Sequence, residues 1–221
     1  RLGPLPGSQL ISREAELDAV VQALTTGESR LVTVHGPGGI GNTRLAQEAI
    51  RSAALELAFG PERYFVALEG VASADLVPSA VAKVVALGAA AGAGTWTGLA
   101  GAIGDRRLLL VLDAWEHLMP AAPHLVSLLE ACPGLHPLVT SRERLGAPVE
   151  WSLTLRGLAL PAVDAGPAAR GADAMRMIVQ QARKHDLGFE LADADVPAAA
   201  RICRAVDGLP LGLAMAAAWK I

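Results

Sequence analysis

Residues 31–45 read Leu31-Val32-Thr33-Val34-His35-Gly36-Pro37-Gly38-Gly39-Ile40-Gly41-Asn42-Thr43-Arg44-Leu45, and the fold turns on them. Leu31 to Val34 is a short apolar run of the kind that forms a buried strand. It runs directly into Gly36-Pro37-Gly38-Gly39-Ile40-Gly41. Beyond the loop, Leu45, Ala46, Ala49, Ile50, Ala53 and Ala54 recur on one face of a helix. Outward from this unit the pattern repeats. Strands are expected near Tyr64 to Leu68, at Leu108 to Leu112 and at Leu138 to Thr140, with helical segments between them and a helix around Leu118 to Ala131. Val149, Trp151, Leu153 and Leu155 alternate with polar neighbours, as in an edge strand. Strands alternating with helices predict a parallel α/β sheet covered on both faces.

The flanks differ in character. Residues 1–9 read as a linker. Ser12 is placed to cap a helix, with Glu14 and Glu16 in its first turn and Leu17, Val20, Val21 and Leu24 at helical spacing. After Leu160, Pro161 to Gly171 is rich in Pro, Ala and Gly and reads as a second linker. Ala172 to Lys184 is helical, with Met175, Ile178, Val179 and Ala182 on one face. Val196 to Val206 and Leu211 onward form two more helices. The expected layout is a linker at 1–9, an α/β domain at 10–160 and a small helical domain at 161–221.

Chemistry concentrates in four motifs. The first fits the phosphate-loop pattern G-x-x-x-x-G-K-[ST] at Gly36, Gly41 and Thr43, with Asn42 in the lysine's place. Its glycines let the backbone wrap a phosphate, so that N–H groups along Gly38, Gly39, Ile40 and Gly41 point inward. The helix opening at Asn42, Thr43 and Arg44 turns its positive end to the same anion. The Thr43 hydroxyl suits Mg²⁺. Loss of a charged hydrogen bond removes about 1.5–3 kcal/mol, roughly ten- to a hundred-fold in affinity. Hydrolysis suffers more than binding, because charge on the transferred phosphoryl loses a cation.

The second motif, Leu108-Leu109-Leu110-Val111-Leu112-Asp113, is an apolar strand ending in a carboxylate suited to Mg²⁺. Glu116, three residues on, is placed either to orient an attacking water or to favour a helix start. The third, Leu138-Val139-Thr140-Ser141-Arg142-Glu143-Arg144, sets the Arg142 guanidinium at the carboxyl edge of the sheet, in reach of a γ-phosphate. The fourth, Gly208-Leu209-Pro210-Leu211, is a tight turn into a helix with Pro at its start.

Composition bounds the function. Hydrophobic residues make up 52% of the 221, enough for a sizeable core. The formal net charge is −3, with no basic tail, which argues against direct nucleic-acid binding by this segment. Cys132 and Cys203 form no metal-ligand spacing and fit a reducing, cytoplasmic setting. Val84 to Ile103 carries no charge, yet its glycines and threonines predict helix, glycine-rich loop, helix rather than a membrane span.

Together these elements resemble the STAND class of signal-transducing P-loop ATPases, NB-ARC-like, and in particular the ATPase region of bacterial regulators with LuxR-type or SARP-type DNA-binding domains. Ile11-Ser12-Arg13-Glu14 resembles the family's Gly-Arg-Glu motif with Ser12 for glycine. LVLDAWEHL at 110–118 resembles its Walker B region, with Ala114 where Asn is usual. LVTSRERL at 138–145 and DGLPL at 207–211 are close matches. The resemblance implies a five-stranded P-loop NTPase sheet followed by a helical domain, with one strand inserted between those bearing Walker A and Walker B. It implies ATP or ADP as ligand with Mg²⁺ at Thr43 and Asp113, Arg13 and Pro210 near the base or ribose, and Arg142 near the γ-phosphate. It further implies a cycle between a closed ADP form and an open, often oligomeric ATP form, and partner domains of winged-helix, sensor-repeat and DNA-binding type. Two readings stay open. One is a nucleotide-dependent switch with weak hydrolysis. The other is a degenerate loop serving protein–protein contact or autoinhibition.

Overall fold

The computed structural model describes residues 10–27, 29–85, 94–163 and 166–218. The linker expected at 1–9 and the middle of the glycine-rich loop around Gly88 and Gly92 lie outside the described residues. The elements run α1 (Glu14–Thr26), β1 (Leu31–His35), α2 (Asn42–Ala49), α3 (Ala53–Phe59), β2 (Arg63–Ala67), α4 (Val77–Val84), α5 (Trp96–Ile103), β3 (Leu108–Asp113), α6 (Ala122–Ala131), β4 (Leu135–Ser141) and β5 (Glu150–Thr154). α7 (Asp173–His185), α8 (Val196–Ala205) and α9 (Pro210–Ala218) follow.

The five strands form one sheet in the order β2-β3-β4-β1-β5, and every pairing is parallel. β4 is the strand that the resemblance placed between the glycine-loop strand and the Asp113 strand. All carboxyl ends therefore lie along one edge, where ligands bind in open α/β sheets. β3 and β4 are buried along their whole length, as expected of strands covered on both faces.

The described residues separate into two compact units, one within 15–36 and 42–154, the other within 10–14, 37–41 and 155–218. In the first, Leu110, Leu112, Trp115, Leu125, Leu135 and Val139 belong to one apolar cluster. In the second, Met175, Ile178, Ala199, Cys203 and Leu213 form another. At about 25 cal/mol per Å² of apolar surface removed from water, such clusters are the main stabilising term.

Several local expectations change. The helix expected at Leu118 begins as a 3₁₀ turn at Glu116–Ala121 containing Pro120, and the α-helix starts only at Ala122. Pro120 has no N–H for a regular helical bond. β4 starts at Leu135, three residues before the expected Leu138. α1 begins at Glu14, which puts its cap position at Arg13 rather than Ser12, and the Ser12 hydroxyl donates to Asp173 Oδ1 at 2.5 Å. Among the described residues no helix is long and apolar enough to cross a membrane.

Candidate functional site

Gly36 follows β1 directly, so the loop leaves the sheet at its carboxyl edge. The Gly36 N–H donates to the Ser141 carbonyl at 3.3 Å, which ties the start of the loop to the end of β4. Ile40 is buried, with 2% exposure, and its N–H closes a turn on the Pro37 carbonyl at 3.1 Å. Gly39 and Gly41 have φ of +80° and +107°, values that only glycine adopts freely. A Cβ on Gly41 would meet open space, so one side of the loop is clear. A Cβ on Gly39 would lie 2.6 Å from Leu211 Cβ. Within that second unit the Leu211 N–H also donates to the Gly39 carbonyl at 3.2 Å. Among the described residues, the N–H groups of Gly39, Gly41, Asn42 and Thr43 have no backbone acceptor. Those of Asn42 and Thr43 are first-turn donors of α2, which a helix cannot satisfy internally.

The Asn42 side chain turns onto backbone carbonyls. Its Nδ2 donates to the Gly36 carbonyl at 3.0 Å and to the Ser141 carbonyl at 2.9 Å. A primary amide has two N–H donors, so both are spent on backbone. Its Oδ1 is buried and lacks a hydrogen-bond partner among the described residues. Arg44, two residues further along the helix, pairs with Glu48 one turn on.

Asp113 ends β3 and is 8% exposed. Thr43 Oγ1 donates to its Oδ1 at 2.8 Å, and Thr140 Oγ1 to the same oxygen at 2.5 Å. Burial pushes the Asp113 carboxyl up from its ordinary value, the two hydroxyls oppose this, and Glu116 and Glu69 push it up further. Glu69, just beyond β2, is a carboxylate that none of the four motifs contains. Only the sheet order, which sets β2 beside β3, brings it near Asp113.

Thr43 and Asp113 suit Mg²⁺. This ion takes one or two carboxylates together with phosphate oxygens and water, and Thr43 Oγ1, whose hydrogen is engaged by Asp113, has only lone pairs left to offer. No cluster of three or more His, Cys, Asp or Glu side chains fit for a metal occurs among the described residues.

Arg142 and Glu116 are brought together: Nε and Oε1 lie 3.2 Å apart, with side-chain exposures of 69% and 30%. Arg13 is buried and its guanidinium donates to the Arg156 carbonyl at 2.5 Å. Pro210 opens α9, where its missing N–H leaves no intrahelical bond unmade.

Residues 13–144 match the family described as NB-ARC domain. A putative HTH-type transcriptional regulator of Mycobacterium tuberculosis is 38% identical over 192 residues, covering 86% of this chain and 20% of that protein. An uncharacterized protein of the same species is 34% identical over 212 residues, covering 96% of this chain and 50% of that one. The chain thus spans half or less of the length of these curated relatives.

Among solved structures, a signal transduction ATPase with numerous domains and a tetratricopeptide repeat sensor, from Pyrococcus horikoshii, gives a TM-score of 0.56 at 17% identity, covering 96% of this chain and 30% of that one. Cdc6p from Pyrobaculum aerophilum gives 0.62 at 10% identity, covering 99% and 65%. These two likenesses speak to the fold. The family match runs over the greater part of the chain, from Arg13 through the glycine loop and Asp113 to Arg144, and the chain belongs to the NB-ARC domain family.

Proposed function

We propose that this domain is a nucleotide-responsive switch that binds ATP and ADP with Mg²⁺ and hydrolyses ATP weakly or not at all. The observation that carries the reading is the Thr43–Asp113 contact of 2.8 Å, made from the first turn of the helix that follows the glycine loop in sequence. In this reading Gly36, Gly38, Gly39, Ile40, Gly41 and Arg44 belong to the phosphate cradle. Thr43 and Asp113 hold the metal, and Arg142 exchanges Glu116 for a γ-phosphate. Arg13 and Pro210 support the base or ribose. Differential affinity for the two nucleotides then biases the domain arrangement.

The setting proposed is cytoplasmic, within a longer LuxR-type or SARP-type regulator. Winged-helix, sensor-repeat and DNA-binding domains are its partners there, and the ATP form assembles with further copies. Isothermal titration with ATP and with ADP, in the presence of Mg²⁺, tests the reading. Heat is expected for both. No heat and no thermal shift at about millimolar nucleotide, a ligand level at which even a weak site binds, would sink it.

A second reading, a degenerate loop used only for protein contact or autoinhibition, is favoured by one observation: both Asn42 amide protons are committed to carbonyls. Asn42→Lys separates the two. In a working switch the wild type already binds and the variant gains hydrolysis. In a degenerate loop only the variant binds.

A further inference from the structure

We propose that this phosphate loop accepts its nucleotide only as a divalent-metal complex, so that the metal is required for binding itself and not only for turnover. The inference rests on the nucleotide reading above and adds an ionic requirement to it.

A phosphate can be held by backbone N–H groups, side-chain donors, side-chain cations or a metal. At this loop the second and third are used up. Residues 36–43 contain no Lys or Arg. Both amide protons of Asn42 go to the Gly36 and Ser141 carbonyls. The Thr43 hydroxyl proton goes to Asp113 Oδ1. His35 Nε2, at the end of β1, lies 3.0 Å from Thr154 Oγ1 and is engaged there. Arg44 pairs with Glu48, and Arg142 with Glu116. Glu116 and Glu69 each lie close enough to Asp113 to oppose its negative charge.

A free diphosphate or triphosphate arriving here meets lone pairs and carboxylates, opposed by backbone dipoles and by Arg44 and Arg142, each of which is already paired with a glutamate. A divalent ion reverses this. Thr43 Oγ1, whose hydrogen is engaged by Asp113, has only lone pairs left to offer it, and both hydroxyl donors reach Asp113 at Oδ1, which leaves Oδ2 for the ion. In a loop with lysine at position 42 the ammonium supplies part of that neutralisation without metal.

The test is equilibrium titration of the wild-type chain with ADP and with ATP, in excess Mg²⁺ and in excess EDTA. Binding in Mg²⁺ that weakens at least about ten-fold in EDTA is expected, the size of one lost charge-assisted contact. Asn42→Lys is expected to bind in EDTA within about three-fold of its own Mg²⁺ value, because the lysine restores one charged contact worth about that same ten-fold. Wild-type affinity in EDTA within about three-fold of that in Mg²⁺, well short of one charged contact, overturns the metal requirement and leaves the nucleotide reading standing. Absence of binding in Mg²⁺ overturns both. If the lysine variant does not fold, the wild-type comparison alone decides.

Discussion

Two departures from the family's usual residues sit in left-handed backbone: Ser12 at φ +51° and Ala114 at φ +65°. Glycine occupies that region freely and asparagine tolerates it, whereas other L residues lose about 1–2 kcal/mol there. That explains why Gly and Asn are usual at these positions in the family that the motifs resemble. Ala114 is held in place by its neighbours: its N–H donates to Thr140 Oγ1 at 3.0 Å and the Trp115 N–H to the Thr140 carbonyl at 2.9 Å. Ala114→Gly and Ala114→Asn are each expected to raise unfolding stability by about 1 kcal/mol, read as a higher denaturant midpoint at unchanged slope. Ser12→Gly is expected to be close to neutral, because relief of the backbone is offset by loss of the Asp173 hydrogen bond, about 1 kcal/mol. A stabilising Ser12→Gly beside an inert Ala114→Gly would contradict this account. The sequence shows which residues depart, but a backbone angle is not written in it. Asn42 is similar. Its lack of charge is legible at once, while its inward turn depends on Ser141, 99 positions away.

β4 shows why strand boundaries were harder to read than strand existence. The His136-Pro137 pair hides its first half, since proline cannot donate to a ladder and argues against a central strand. The structure resolves this by geometry. Pro137 pairs only with Leu110 of β3, and the β1 ladder begins one residue later, at Val32–Leu138. There β4 behaves as an edge. His136 in the same stretch is buried, packs T-shaped with Phe59, and has a nitrogen 3.1 Å from the Gly134 carbonyl. Burial pulls its pKa below 6.5; Arg107 and Arg30 lower it further, and the Gly134 carbonyl opposes them.

The linkage sign follows from which state takes up the proton. As pH falls through 6.5 the unfolded chain binds a proton at His136 that the folded chain refuses, so stability falls. The loss continues until the lower folded-state pKa is passed. The wild type is expected to lose denaturant resistance between about pH 7 and about pH 5.5 more steeply than His136→Gln. Equal slopes for the two proteins would remove His136 as the cause.

At the scale of the molecule, the sheet was the most legible feature and the neighbourhood of the site the least. Alternating strands and helices were enough for a parallel α/β sheet, because period and length are local properties. Which strands touch is not local. The motif spacing set Asp113 and Arg142 at strand ends, but the order β2-β3-β4-β1-β5 was needed to bring Glu69 to Asp113 and Ser141 to Gly36. The two apolar clusters also make separate predictions. Leu110 and Leu213 are both fully buried, one in each cluster. Truncation of either to alanine is expected to cost about 2–5 kcal/mol. Hydrogen exchange should show the largest loss of amide protection within the unit that carries the substitution. A uniform loss across the chain would argue against separate cores.

The amide of Asn42 has one more effect, which belongs to kinetics. By holding the Gly36 and Ser141 carbonyls together it fixes the loop before any ligand arrives. A loop already ordered loses little conformational freedom on association. Encounter is then limited by diffusion and dehydration of the incoming ions rather than by waiting for a rare open loop. Differences in affinity among related anions should therefore appear in how long each one stays and not in how fast it arrives.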